Sequence, residues 1–279
     1  MRRLLRGLAG APALSPLRNL RAAFYFAATR REAFDPTHLG SVDDAALASF
    51  FQDAAVSGEW DAEQRGIVEW LPAREILGGL NPGERRALYY FVRALRPQAV
   101  LEIGTHIGAS TIHIARALAA NGGGACLTTV DVADVNDGHD APWREAGMVK
   151  SPRDVMGELG CASNVRFVVG SALAFMRHAA DRYDLVFLDG DHRPHAVYQE
   201  IAAALRVLAP DGLVLLHDYY PGRAALYPDG RVIDGPVRAV ERIMREEHRI
   251  EGRPLRSLPW PTKQGVNATS LALLMRSPA

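Results

Sequence analysis

The stretch that decides the fold is Ala99-Val100-Leu101-Glu102-Ile103-Gly104-Thr105-His106-Ile107-Gly108. Its first five residues form a short, mainly apolar run, which is typical of a parallel strand buried on both faces. Gly104 and Gly108 allow a tight turn of the backbone and a close approach by a ligand. The next residues, 110–120, have the pattern of a helix. The stretch therefore predicts a strand, a glycine-bearing turn and a helix.

Further apolar runs of the same kind follow along the chain, and helical patterns separate most of them. We predict strands at 127–131, 165–169, 185–188 and 213–216, helices at 84–95, 172–180, 194–208 and 237–247, and weaker strands near 254–258 and 270–275. Strands that alternate with helices indicate a parallel sheet with helices on both faces. The predicted fold class is α/β, with a doubly wound, mostly parallel, Rossmann-like sheet.

Length and composition favour one such domain with an appendage. The chain has 279 residues, of which 48% are hydrophobic and 23% charged, an ordinary globular composition. Residues 1–82 lack a clear strand pattern and are interpreted as a helical N-terminal extension. Residues 83–279 are interpreted as the α/β domain.

The charge balance argues against a general nucleic-acid binder, since Lys+Arg and Asp+Glu are both 32. No apolar stretch is long enough to predict a transmembrane segment. Cys126 and Cys161 lack metal-ligand spacing and are interpreted as reduced residues of a cytoplasmic protein. Seven Arg residues precede Glu32. They are interpreted as the solvated basic face of a helix, with a basic arm or a targeting segment as alternatives.

Polar residues end each predicted parallel strand, where ligands of open α/β sheets bind. The candidates in chain order are Glu102, Asp131, Gly170-Ser171, Asp189 and His217-Asp218. An acid before the first glycine would repel a pyrophosphate, and the glycine spacing differs from G-x-G-x-x-G, so a nicotinamide-dependent oxidoreductase is disfavoured. An acid at the position of Asp131 typically accepts hydrogen bonds from ribose hydroxyls.

The pattern E-x-G-x-x-x-G after the first strand, with an acid ending the second, resembles a class I S-adenosylmethionine-dependent methyltransferase. The resemblance implies that residues 83–279 bind S-adenosylmethionine, that the glycine turn backs its methionine part and that the second acid binds its ribose. The cofactor-binding residues that it implies are Glu102, Gly104, Gly108, Asp131, Ser171 and Asp189. His106 lies within the turn. It could contact the cofactor or be an ordinary turn residue, and the sequence favours neither role.

A second group of residues, Asp189-Gly190-Asp191-His192 and His217-Asp218, follows two neighbouring strands. Asp189 and Asp218 could share a divalent cation, because carboxylate oxygens are the ligands that Mg²⁺ prefers. Such an ion would hold a substrate hydroxyl and lower its pKa. His192, three residues beyond Asp189, is suited to take that proton.

These motifs are similar to those of metal-dependent sugar and macrolide O-methyltransferases and of cephalosporin-hydroxylase-like proteins. The resemblance implies that Asp189 and Asp218 bind Mg²⁺ and that His192 is the catalytic general base. The macrolide enzymes often carry Glu at the position of His217. If His217 is a metal ligand, its imidazole favours Mn²⁺ or Zn²⁺ over Mg²⁺.

Structural roles remain as alternatives for several of these residues. Asp191 could cap the next helix, His192 could be an exposed loop residue, and His217 could bond only within its turn. Substrate choice is expected from the N-terminal region, the loop at 219–221 and the segment 132–161. The rings that could stack there or serve only as lid packing are Trp143, Tyr219 and Tyr220.

The function that these inferences favour is S-adenosylmethionine-dependent transfer of a methyl group to a hydroxyl of a small molecule, such as a glycoside or another natural product. The alternative is a methyltransferase-fold binding protein without methylation activity. The expected partner is thus a small hydroxylated acceptor. Phe24, Tyr25 and Phe26 of the N-terminal region could pack on the domain or on a second subunit, so a homo-oligomer stays open.

Overall fold

A computed structural model describes residues 24–76, 79–122, 124–139 and 141–277. These residues contain a single seven-stranded sheet. Its strands are β1 (Ala99–Ile103), β2 (Cys126–Asp131), β3 (Val165–Val169), β4 (Tyr183–Leu188), β5 (Leu208–Leu216), β6 (Ile250–Pro254) and β7 (Ala272–Arg276). The strand order is β3-β2-β1-β4-β5-β7-β6. Strands β1 to β5 are parallel, and β7 runs antiparallel to both of its neighbours.

Helices flank both faces of this sheet. They are α1 (Asp44–Phe50), α2 (Ala54–Ile67), α3 (Pro82–Leu95), α4 (Ala109–Asn121), α5 (Pro142–Glu145), α6 (Pro152–Glu158), α7 (Ala172–His178), α8 (Pro194–Val207) and α9 (Gly235–Glu246). No helix among the described residues combines the length and the apolar character needed to cross a membrane. The predicted fold class, a doubly wound and mostly parallel α/β sheet, is confirmed.

Local sequence signals explain where helix α3 begins and ends. The side chain of Asn81 accepts a hydrogen bond from the amide of Glu84, and Pro82 occupies the first turn, where a missing N–H costs nothing. At the other end Arg96 adopts a left-handed conformation with φ of 48°, and Pro97 follows it. The cap fixes the position of Glu84, which proves important for the site.

The central strands β1, β4 and β5 are buried on both faces, so their successive residues enter two different cores. Val100 of β1 packs in the core beneath α3 and α4, while the next residue, Leu101, packs beneath α8 and α9. Both side chains are fully buried. This arrangement explains why each parallel strand has an apolar run rather than an alternating pattern.

The described residues before α3 pack against the domain. Arg93 and Arg116 each form a two-point ion pair with a carboxylate of α2, Glu59 and Glu63 respectively. Leu39 pairs with Gly212 beside β5. The division after residue 82 remains a prediction. Residues 1–23, with five of the N-terminal arginines and part of the predicted extension, lie outside the described residues.

Two regions differ from the sequence prediction. The strand expected at 254–258 ends at Pro254, and the chain turns soon after, at Arg256, which has φ of 61°. The segment 132–161 carries α5 and α6, and its buried residues Trp143, Val155 and Met156 join the core. Most of this segment's large apolar residues are therefore packed into the core, whereas Val132 and Val149 are exposed.

The register of the sheet brings the candidate residues together. Ile103 of β1 pairs with Leu188 of β4, and Leu188 pairs with Leu216 of β5. The residues that follow this aligned row are Gly104, Asp189 and His217. They therefore lie side by side at the point where the strand order reverses, the position at which such sheets bind ligands.

The first prediction concerns Gly235, where α9 passes very close to the backbone of His192. A Cβ atom at Gly235 would lie 1.7 Å from the carbonyl oxygen of His192, so either α9 or the His192 loop must move. We expect Gly235→Ala to lower the free energy of unfolding by about 1–3 kcal/mol, as overpacking does, in urea titrations.

The matched control is Gly58→Ala in helix α2, where a new Cβ would meet nothing within 4 Å. This variant should raise the free energy of unfolding by about 1 kcal/mol, because Ala favours a helix over Gly. Equal stability of Gly235→Ala and the wild type would contradict the close packing described here.

Candidate active site

A cavity of about 1490 Å³ opens over the carboxyl ends of β1, β2, β4 and β5. Seven of the predicted site residues line it: Gly104, Asp131, Ser171, Asp189, His192, His217 and Asp218. Two others, Glu102 and Gly108, do not. The cofactor end and the reaction end expected from the sequence thus share one cavity.

The glycine turn lies against the loop that follows β4. Gly104 has φ of 97°, and a Cβ atom there would be 2.3 Å from the carbonyl oxygen of Asp189. Only glycine fits this close approach without strain. Asp131 holds the turn from the other side, since its Oδ2 accepts hydrogen bonds from the amides of Thr105 and His106 at 3.1 and 2.9 Å.

Glu102 supports this turn from beneath instead of facing the cavity. Its carboxylate is fully buried, and Oε2 accepts hydrogen bonds from the hydroxyls of Thr111 and Thr129, both at 2.6 Å. Oε1 has no hydrogen-bond partner among the described residues. Burial raises the pKa of Glu102 to about 7, although hydrogen bonds oppose the shift. Glu102 does not line the cavity, and the cofactor contact expected of it stays a prediction.

Gly108 and Ser171 both begin helices. Gly108 precedes α4 with φ of 77°, and a Cβ atom there would be 2.8 Å from the side chain of Pro152. Gly108 therefore makes room for α6 and does not reach the cavity. Ser171 caps α7 by accepting a hydrogen bond from the amide of Ala174, and it lines the cavity beyond β3.

At the reaction end, Asp189, His192 and Asp218 meet. Each offers one atom of a type that binds metals, and these atoms lie within 4.8 Å of one another. Nδ1 of His192 is 3.5 Å from Oδ2 of Asp218, and the His192 side chain is 42% exposed. Asp218 is buried, with φ of 54°. Burial raises its pKa, with His217 acting in the opposite direction and Asp189 adding to the shift.

His217 bridges two carboxylates, which changes its expected role. Its Nδ1 lies 2.9 Å from Oδ1 of Asp189, and its Nε2 lies 3.0 Å from Oε2 of Glu84. A ring that donates from both nitrogens has no lone pair for a metal. Burial lowers the pKa of His217, but Asp189, Asp218 and Glu84 outweigh it and raise the pKa well above its ordinary value. Both ring nitrogens of His217 are thus engaged by carboxylates in this structure, and metal binding by His217 stays a prediction.

The sequence analysis missed Glu84, the second partner of His217. This carboxylate is fully buried, and its pKa is lowered because its charged neighbour His217 and several hydrogen bonds outweigh the effect of burial. The sequence held a signal for it. Glu84 lies four residues before Leu88, on the face of α3 that carries the apolar residues, where an unpaired charge is costly.

Of the three aromatic residues expected to contact the substrate, Tyr220 lines the cavity and the other two do not. Trp143 and Tyr219 are buried and do not line the cavity, and the indole N–H of Trp143 donates to the carbonyl of Val135. Tyr220 does line it, and its ring packs edge-on against Tyr227, 6.2 Å away. From the segment 132–161 only Val132 reaches the cavity among the described residues.

The neighbours of His192 have local roles. Asp191 accepts hydrogen bonds from the amide and the guanidinium of Arg193, so it forms a turn and an ion pair and does not cap α8. The His195 ring lies edge-on to Tyr25 at 4.7 Å, on the cavity rim. Glu200, behind this loop, is buried, and burial raises its pKa to about 8.

Known proteins match this chain in both sequence and fold. Residues 101–219 match the family model of the methyltransferase domain. A "Putative O-methyltransferase" of Mycobacterium sp. (strain JLS) is 29% identical over 178 residues, which cover 62% of this chain and 72% of that protein. Another "Putative O-methyltransferase", of Mycolicibacterium vanbaalenii, is 26% identical and covers 77% of this chain and 91% of its own length.

Among solved structures, the O-methyltransferase TomG of Streptomyces achromogenes, in complex with S-adenosylmethionine, has a TM-score of 0.51 at 22% identity. The alignment covers 87% of this chain and 94% of TomG, a likeness of fold. Residues 101–219 thus match a methyltransferase domain in sequence, and the chain has the fold of an S-adenosylmethionine-binding O-methyltransferase. The resemblance inferred from the glycine turn and the strand-end acids is confirmed.

The second prediction uses the raised pKa of Glu102. The folded protein holds this proton more tightly than the unfolded chain does, so the associated stability is present below about pH 4.5 and is lost as the pH rises through about 7. A shift from 4.5 to about 7 corresponds to a cost on the order of 3 kcal/mol at pH 8. We expect Glu102→Gln to be more stable than the wild type at pH 8 and similar at pH 5.

Urea titrations at both pH values measure this difference. The matched control is Glu69→Gln, at an exposed position, which should change stability little at either pH. A Glu102→Gln variant that differs from the wild type by the same amount at pH 5 and pH 8 would refute the assigned protonation behaviour.

Proposed function

We propose that this methyltransferase domain transfers a methyl group from S-adenosylmethionine to a hydroxyl oxygen of a small molecule, such as a glycoside or another natural product. In this proposal Asp189 and Asp218 bind a divalent metal, and His192 is the general base. The observation that carries it is the meeting of Asp189, His192 and Asp218 within 4.8 Å, in the wall of the cavity that the glycine turn also lines.

The cofactor end of the cavity fits S-adenosylmethionine, which supplies an electrophilic methyl group when bound. Gly104 leaves the backbone of the turn open to a close neighbour, and Asp131 lies at the end of β2, where ribose hydroxyls are commonly bound. Nδ1 of His106 is buried without a partner among the described residues, so a polar ligand group there would satisfy it. Ser171 and Asp189 complete the proposed contacts.

The reaction end fits a divalent cation by charge and by donor type. The carboxylates of Glu84, Asp189 and Asp218 against one imidazolium, His217, leave a formal charge of −2. Both proposed ligands are carboxylates, which favours Mg²⁺, whereas participation of His192 would favour Mn²⁺ or Zn²⁺. A bound cation would lower the pKa of the acceptor hydroxyl.

His192 is proposed as the base because of its position. Its ring is partly exposed to the cavity, and Asp218, at 3.5 Å from Nδ1, can orient it. An imidazole exchanges protons readily near neutral pH. Holding the acceptor oxygen in line with the transferred group supplies much of the rate of such a displacement.

The remaining walls support a polar acceptor. The cavity lining also includes hydroxyl, amide and charged side chains. They include Gln199, Tyr220, Tyr227, Lys263 and Gln264. Such walls suit a ligand with several hydroxyl groups, and the names of the mycobacterial relatives support oxygen as the methylated atom.

The third prediction is that Asp189→Ala and His192→Ala remove turnover. A general base contributes roughly 10² to 10⁴ in rate, so each variant should lose at least about 100-fold in kcat. In His192→Ala the affinity for S-adenosylmethionine should stay within about tenfold, or 1.4 kcal/mol, because every proposed cofactor contact is kept, whereas Asp189→Ala also removes one such contact. Transfer of a labelled methyl group to a panel of glycosides and catechols measures kcat. Calorimetry measures the affinity for S-adenosylmethionine.

The control is Asp191→Asn, in the same loop, which alters only the ion pair with Arg193 and should retain turnover. Undiminished turnover in both alanine variants would contradict the proposed mechanism. Wild-type protein that binds S-adenosylmethionine and methylates no member of the panel would favour the alternative, a binding protein without methylation activity.

A further inference from the structure

Glu84 accepts an unusual number of hydrogen bonds for a residue in the first turn of a helix. It is fully buried in the first turn of α3. Oε1 accepts from the hydroxyls of Tyr227 and Thr269 at 3.0 and 2.7 Å, and from the amide and hydroxyl of Ser270 at 2.7 and 3.1 Å. Oε2 accepts from the side-chain amide of Asn81 and from Nε2 of His217. The carboxylate is thus held by partners from four separate stretches of the chain, at residues 81, 217, 227 and 269–270.

The two oxygens of Glu84 have different partners. Oε1 ties α3 to the C-terminal segment at 269–270, a contact within the fold. Oε2 points to His217, whose other nitrogen is 2.9 Å from Asp189. A rigid chain of side chains therefore runs from the buried end of α3 to a carboxylate in the cavity wall.

We infer that Glu84 is a positioning residue that holds the carboxylate of Asp189 in place through His217. The inference rests on the proposed function, in which Asp189 is a metal ligand. A ligand carboxylate must keep one orientation, and partners behind the ligands commonly supply it. The backbone of Asp189 is fixed, because its amide donates to the carbonyl of Ile103 at 2.9 Å, so the partner His217 acts on the orientation of the carboxylate.

The free-energy cost of burying Glu84 beside His217 also favours a role for Glu84 beyond stabilising the fold. Burying a carboxylate and an imidazolium together costs desolvation energy, and apolar replacements of similar volume are often as stable. The contacts of Oε1 would tie α3 to residues 269–270 without His217. The additional bond from Oε2 to His217 is explained by the orientation that it gives to Asp189.

The fourth prediction compares Glu84→Gln with Glu63→Gln. Both replace a buried or half-buried carboxylate by its amide, but Glu63 pairs with Arg116 on α4 and does not line the cavity. Glu84→Gln should weaken Mn²⁺ binding, measured by electron paramagnetic resonance, by about 10- to 100-fold and reduce kcat similarly. The acceptor KM should change little. Glu63→Gln should lower only the free energy of unfolding.

Two further measurements separate the possible outcomes. If Glu84 acts through His217, the double variant Glu84→Gln with His217→Gln should be no worse in Mn²⁺ affinity than either single variant. A crystal structure of Glu84→Gln should show the Asp189 carboxylate displaced from its place beside residue 217. This readout does not depend on catalysis.

Wild-type Mn²⁺ affinity and kcat in a folded Glu84→Gln variant would overturn the inference, as would fully additive losses in the double variant. An unmoved Asp189 carboxylate in the crystal structure would overturn it as well. Failure of the proposed function gives a different result, since then the wild type itself would neither bind Mn²⁺ nor transfer methyl groups. If Glu84→Gln does not fold, Glu84→Asp retains the charge but withdraws it from His217, and it should show the same loss.

Discussion

The site depends on one buried bridge, the imidazole of His217 between the carboxylates of Glu84 and Asp189. Three acids meet here, Glu84 of α3, Asp189 after β4 and Asp218 after β5, and three buried negative charges so close together would repel one another strongly. The positive ring offsets part of that repulsion and leaves a net negative site that is open on the side of Asp218. The bridge also connects helix α3 to the loop that carries His192.

The parallel sheet makes this bridge possible. Equal register of Ile103, Leu188 and Leu216 places the glycine turn, Asp189 and His217 in one row. Several hydrogen-bond donors to Glu84 offset the cost of burying its charge there. In the proposed function, Asp189 belongs both to the cofactor end of the cavity and to the reaction end. A methyl donor and an acceptor would therefore meet at this residue.

Much of the sheet could be predicted from the sequence, because strands buried on both faces leave apolar runs such as 99–103 and 185–188. The strand-end acids could also be predicted, because the carboxyl ends of parallel strands meet. Glu84 could not be placed in the site, since its partner is 133 positions away and its helix carries an ordinary apolar face. The direct cofactor contacts expected of Glu102 and Gly108 differ from the structure for a similar reason. The sequence motif predicts the turn that contains these two residues. It does not predict that Glu102 bonds to Thr111 and that Gly108 packs against Pro152, both away from the cavity.

The central claim, that His217 is a charged bridge, can be measured directly by nitrogen-15 nuclear magnetic resonance of the histidine rings at pH 8. The account predicts that both ring nitrogens of His217 carry protons, because each donates to a carboxylate and the pKa of the ring is raised well above its ordinary value. A neutral His217 ring with a single N–H at pH 8 would contradict it. The interaction between Glu84 and Asp189 would then require another explanation.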